Sequence, residues 1–202
     1  DLTLRRGAGI EDHEVVIGFL GRVVLEKCLP EFAATLSELS RRGVPHRVLV
    51  LGDGPARGWL EDKAPEGHFA GYLEGAELGR WIASMDVFFN PSITEAFGNV
   101  TLEAMACALP VVAAVATGAT TLVRDGETGM LVEPGDSQGF ADALATYVRD
   151  LGLRRRHGEA GLAFARTMDW DTINSAVLRV YTRVIERRER YARITGRAAP
   201  PA

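Results

Sequence analysis

The chain has 202 residues and a net charge of −4, with 47% of its residues apolar and 25% charged. That balance suits a globular domain with a sizeable core and excludes a generally basic, nucleic-acid-binding surface. The charge is uneven: from Ala176 onward seven arginines face two glutamates, so the end of the chain is near +5 and the rest near −9.

In chain order, residues 1–14 read as an interdomain linker remnant with no signal-peptide pattern. Val15–Gly21 (VVIGFLG) is a short apolar strand, and Leu29, Phe32, Ala33, Leu36 and Leu39 give helical spacing over 29–42. Arg47–Leu51 (RVLVL) is a second strand closing on the turn GDGP. A short helix over 56–63, a strand at His68–Tyr72, a helix over 76–85 and the strand Asp86–Asn90 follow. Helix 99–108 then feeds strand Pro110–Val115 and, after a turn-rich segment, strand Met130–Val132. Helices over 137–150, 153–166 and 170–191 complete the chain, with 192–202 expected as a disordered tail. The uncharged run Ala104–Val123 has the length of a membrane span. Pro110, Gly118 and several threonines make it a helix end, a buried strand and a loop instead.

Strands apolar throughout, alternating with helices, imply an α/β fold: a doubly wound, Rossmann-like parallel sheet of about six strands with helices on both faces. Such sheets bind ligands beyond the carboxyl ends of their strands. Three loops fall there. Gly21–Lys27 carries two cations, Arg22 and Lys27, before a helix start, an arrangement that suits a diphosphate. Gly52–Gly58 approximates a dinucleotide fingerprint with Glu74 about twenty residues on. A tight strand-to-helix turn is the favoured explanation, since Pro55 removes a donor and the helix that follows is short. The third loop holds Glu95, eight residues before Glu103. With Asn99 as N-cap, Glu103 lies in the first helical turns and tilts back toward the crevice that Glu95 borders. Two acceptor carboxylates beside free N–H groups at Gly98–Val100 suit a ligand with sugar hydroxyls and phosphate. A glycosidase acid pair is the alternative use of two glutamates. Cys28 and Cys107 have neither disulfide nor metal spacing and fit a reducing, cytoplasmic setting.

The segments GRVVLEK, LGDGP, HFAGYL and TEAFGNVTLEAMACALPVVA, with DGETGMLVEPGD after them, resemble the donor-binding, C-terminal domain of group 1 retaining glycosyltransferases of the GT-B fold, in their order and spacing. The resemblance implies a nucleotide-sugar-binding domain over 15–191 and a mannosyltransferase-like enzyme that moves a hexose from a GDP-mannose or UDP-glucose type donor. It implies that Arg22, Lys27 and Glu95 carry the chemistry, the two cations on the diphosphate and Glu95 on hydroxyls of the moving sugar. Gly21 belongs to the same loop. Gly71, Tyr72 and Leu73 would meet the base. Phe97, Gly98, Asn99 and Val100 would present N–H groups, and Glu103 would hold the ribose. No metal and no further cofactor is implied. The implied partners are the nucleotide sugar and an N-terminal acceptor-binding domain, and the arginine-rich end adds a peripheral contact with an anionic membrane surface. The family usually has glycine where Cys28 and Ala108 stand, and TGATTLV (117–123) departs from its glycine-rich pattern. A sugar-nucleotide epimerase and an NAD-binding dehydrogenase module are the alternative readings.

Overall fold

In the computed structural model, residues 1–195 are described. Six strands form one parallel sheet: β1 (Val16–Leu20), β2 (Arg47–Leu51), β3 (His68–Gly71), β4 (Val87–Asn90), β5 (Val111–Ala114) and β6 (Gly129–Val132). Their order is β3-β2-β1-β4-β5-β6, which reverses direction between β1 and β4. The expected doubly wound α/β fold is present. The strands are apolar throughout because both faces are covered. Ile17, Phe19, Val48, Val50, Val87 and Phe89 join the core on one face, under α2 (Leu29–Arg41), α3 (Arg57–Lys63) and α7 (Ser137–Arg149). Val16, Leu49, Leu51 and Phe88 join the core on the other, with α4 (Gly75–Ile82), α5 (Asn99–Ala106) and α6 (Thr117–Leu122). Phe32 of α2 stacks on Phe89 of β4, with ring centroids 5.2 Å apart, and Phe89 meets Phe140 of α7 at the same separation.

The structure departs from the sequence reading in several places. Residues 2–7 form helix α1 (Leu2–Gly7) within the segment read as linker. Its Arg5 is buried and pairs with Asp86 at 3.0 Å, while the same carboxylate oxygen accepts from the Val16 N–H at the head of β1. The turn-rich segment after β5 contains α6, whose Ala119 and Leu122 are buried. The chain forms two compact units, Asp1–Ala165 ending with α8 (Leu151–Ala165) and a second beginning at Arg166. In the second unit α9 (Trp170–Thr195) continues past residue 191, so 192–195 are helical; 196–202 of the expected disordered tail lie outside the described residues. Along α9, Val177, Val180, Tyr181, Val184 and Ile185 are exposed, and Arg183, Arg187, Arg190 and Arg193 gather around Glu186.

Only two described non-glycine residues have left-handed backbone, Cys28 (φ 55°) and Ala108 (φ 58°). Both are positions where the sequence departs from the expected glycines. A Cβ in this region costs about 1–2 kcal/mol, partly offset because glycine loses about 0.4–1 kcal/mol more chain entropy on folding. Ala108→Gly should therefore stabilise the first unit by roughly 0.5–1 kcal/mol, raising its melting midpoint by about 1–4 °C in a calorimetric scan. A midpoint that stays put or falls would show that the left-handed turn carries no such strain.

Candidate functional site

A groove of about 490 Å³ opens at the carboxyl ends of the strands. Its walls come from the loops after β1, β2 and β3, from the start of α4 and from one face of α5. Leu20, Leu51, Leu73, Leu78 and Val100 make much of the surface apolar. Arg22, Asp53, Glu74 and Glu103 supply charge around it. Arg22 is exposed and forms no ion pair among the described residues. Tyr72 stands at the groove, 72% exposed, and its hydroxyl donates to a Glu74 carboxylate oxygen. The position is that of the sheet's reversal of strand order, where open α/β sheets take ligands.

The glycine-rich turn after β2 is accounted for by packing. The Val23 N–H donates to the Asp53 carbonyl at 2.9 Å, and the Ala56 N–H donates to the Val23 carbonyl at 3.0 Å. A Cβ on Gly54 would lie 2.4 Å from the Val23 carbonyl oxygen. The turn is glycine-rich because two loop backbones touch there, which is the tight-turn reading.

Outside the groove lining, between the loops after β1 and β4, Lys27 Nζ donates to Glu95 Oε1 at 2.5 Å. The two side chains keep only 18% and 14% of their exposure. The Thr94 hydroxyl donates to the Glu26 carbonyl at 3.3 Å and joins the same two loops. Asn90, at the end of β4, pins the start of the Glu95 loop: its Oδ1 accepts from the Ser92 N–H and its Nδ2 donates to the Thr101 hydroxyl of α5. Gly118 of α6 backs the loop from the other side, so closely that a Cβ there would sit 2.7 Å from the Glu95 carbonyl oxygen. The segment TGATTLV, although it departs from the expected pattern, therefore still supports Glu95.

Helix α5 begins one residue earlier than the N-cap reading had it. Gly98 is the N-cap, with φ +93°, and Asn99 is the first helical residue. The left-handed turn required at this point suits glycine. Val100 and Glu103 follow three residues apart, on one face, and both line the groove. Partial desolvation raises the Glu103 carboxyl above the ordinary glutamate value of 4.5. Cys107, one turn further on, is raised by burial and then by Glu103.

The model for "Glycosyl transferases group 1" matches residues 14–150. The chain belongs to the group 1 glycosyltransferase family. It is 35% identical to a D-inositol 3-phosphate glycosyltransferase of Stackebrandtia nassauensis, covering 93% of this chain and 46% of that protein. It is 34% identical to a GDP-mannose-dependent alpha-mannosyltransferase of Mycolicibacterium smegmatis, covering 88% and 45%. This group 1 chain thus spans about half the length of the curated relatives it matches. Among solved structures, Anabaena HepE in complex with UDP and glucose superposes with a TM-score of 0.77 at 26% identity, covering 89% of this chain and 51% of that one. The C-terminal domain of a group 1 glycosyl transferase from Francisella tularensis gives 0.66 at 27%, covering 76% and 85%.

In this group 1 domain the groove gathers six of the residues singled out by sequence: Gly21, Arg22, Tyr72, Leu73, Val100 and Glu103. Lys27 and Glu95 lie together but bonded to each other. Phe97, Gly98 and Asn99 open α5 and are not part of the groove wall, and Gly71 closes β3 with its carbonyl accepting from the Gly52 N–H at 2.8 Å. Asp53, Gly75 and Leu78 line the groove and were not among the site residues picked from sequence. The rule that ligands sit beyond strand ends could have found Asp53, whereas Leu78 carries no chemical signal.

The raised Glu103 carboxyl sets a pH dependence. Its folded value lies above its unfolded one, so the ionised form costs stability at neutral pH, and stability should rise as pH falls through the folded value toward 4.5. If Glu103 accepts ligand hydroxyls as a carboxylate, nucleotide binding should weaken over the same interval. Melting and nucleotide titrations across that range check both trends, and Glu103→Gln should flatten both. Parallel trends in stability and binding would remove Glu103 from the site.

Proposed function

We propose that this chain is the donor-binding half of a retaining glycosyltransferase that moves a hexose from a nucleotide diphosphate sugar to an acceptor. The observation that carries this reading is the groove at the strand-order reversal, lined by Arg22 and by a partly desolvated glutamate, Glu103, with the Lys27–Glu95 pair in the loops after β1 and β4. GDP-mannose and UDP-glucose are the donor types in view, in keeping with a relative named for GDP-mannose and a structural neighbour solved with UDP-glucose at a TM-score of 0.78.

The proposed division of labour follows from charge and reach. Arg22 forks two phosphate oxygens and Lys27 adds a point charge. Glu103 accepts from the ribose hydroxyls, and Glu95 accepts from hydroxyls of the moving sugar. Gly71, Tyr72 and Leu73 face the base. The N–H groups at the start of α5 lack intrahelical acceptors and point toward where sugar and phosphate meet. As the bond to the sugar breaks, negative charge grows on the departing diphosphate, and the fixed cations favour that state. No metal is needed for this in the proposal. The leaving diphosphate assists attack by the acceptor from the same face, which retains configuration. The acceptor would be held by an N-terminal domain, in keeping with the Francisella neighbour's being a C-terminal domain and with the half-length match to the relatives.

Three measurements test this reading. The 202-residue chain should bind a sugar nucleotide weakly without turning it over, and the full-length protein should transfer sugar equally well with and without a divalent-metal chelator. Glu103→Ala should weaken nucleoside diphosphate binding about tenfold, the loss expected for one good hydrogen-bonding carboxylate. Turnover by the chain alone, metal-dependent transfer, or an unchanged dissociation constant in Glu103→Ala would each count against it.

The arginine side of α9 supports a peripheral contact with anionic lipid in the intact protein. No helix among the described residues is long and apolar enough to cross a membrane. Full-length protein should co-sediment with vesicles containing anionic lipid and be released by salt. Binding that neutral vesicles match would remove the contact.

A further inference from the structure

The geometry points to the Lys27–Glu95 pair as the device by which the domain tells an intact donor from the spent nucleotide. This inference rests on the nucleotide-sugar reading above. Lys27 comes from the loop after β1 and Glu95 from the loop after β4, and the two strands are neighbours in the sheet. The two groups satisfy each other at 2.5 Å, largely shielded from solvent. Shielding makes such a pair stronger than a surface pair, and stranding either charge alone is costly. The Glu95 backbone is also held in place, by the Thr94–Glu26 bond on one side and by Gly118 on the other. Glu95 cannot simply swing into water when its partner is taken.

A diphosphate entering the groove draws the Lys27 ammonium toward its oxygens. Glu95 then loses its cation and faces a ligand of its own sign. An intact sugar nucleotide compensates, because its sugar hydroxyls donate to the freed carboxylate. A bare nucleoside diphosphate brings no such donors. Glu95 therefore acts against the product while favouring the donor, and once the sugar has left it competes with the diphosphate for Lys27. Arg22 plays no part in this exchange, since it forms no ion pair among the described residues.

The prediction has a sign that a purely supporting role for Glu95 does not share. Titration calorimetry of this chain with GDP, GDP-mannose, UDP and UDP-glucose should compare the native protein with Glu95→Gln, Lys27→Met and the double variant. In Glu95→Gln, nucleoside diphosphate should bind about 3–10-fold tighter and the sugar nucleotide no tighter than before, so that the donor-to-product preference collapses. The gain should vanish when Lys27→Met is added. Diphosphate affinity that is unchanged or weaker in Glu95→Gln, or a gain that survives Lys27→Met, would overturn the exchange while leaving the donor-binding reading in place. Failure of the native chain to bind any of the four ligands would overturn the donor-binding reading, and the exchange with it.

Discussion

A parallel sheet with both faces under helices leaves its ligand one place to go. The faces are taken up by two apolar cores, one around Phe32, Phe89 and Phe140 and the other around Leu49, Phe88 and Met105. What remains open is the rim where strands end and loops begin. At the reversal between β1 and β4 the neighbouring helices leave in opposite directions, and the rim parts into a groove. The groove is thus a consequence of covering the sheet, and its walls are whatever the loops after β1, β2 and β3 and the start of α5 happen to carry. Those loops are short and bonded to one another through backbone atoms, as at Val23 with Asp53 and Gly52 with Gly71. A wall made this way owes its shape to backbone bonds more than to side chains.

The two cations of the loop after β1 differ in kind. Arg22 is exposed and forms no ion pair among the described residues, a charge already presented to an incoming anion. Lys27 is shielded and committed to Glu95. The first suits long-range attraction, which solvent and salt screen. The second is felt only at contact, where water has been displaced and the electrostatic stakes are higher. A site built from one of each can attract any anion but hold best the one that also meets the carboxylate.

The strands were legible in the sequence because each is an uninterrupted apolar run, and the long helices because their spacing is regular. What was not legible depended on partners far along the chain. Helix α1 is six residues long and weak by itself; Arg5 ties it down by pairing with Asp86, 81 positions away. Helix α6 is equally short, and threonine and glycine made its composition read as a turn. The site divides in the same way. Arg22, Lys27, Glu95 and Glu103 were visible as charges near expected helix starts. The bond between Lys27 and Glu95 spans 68 positions and leaves no trace in local pattern. Gly118 was visible only as a break in an apolar run, and its reason is the backbone of Glu95.

Cys28 shows how a departure in sequence can leave the geometry standing. It sits between the single 3₁₀ turn that carries Lys27 (Leu25–Lys27) and the first residue of α2, in the left-handed conformation that glycine adopts freely. Its N–H donates to the Leu25 carbonyl and its carbonyl accepts from the Phe32 N–H, both at 3.0 Å. Phe32 is fully buried against Phe19 and Phe89, so α2 cannot shift to relieve the cysteine. The strain is therefore kept at residue 28, because moving it would cost the core more than the left-handed backbone costs locally. Because α2 is anchored in this way, the sharp bend at Cys28 fixes where the turn before it points, and with it the place from which Lys27 reaches Glu95. The position of the charge at the rim is thus set by an aromatic stack in the core.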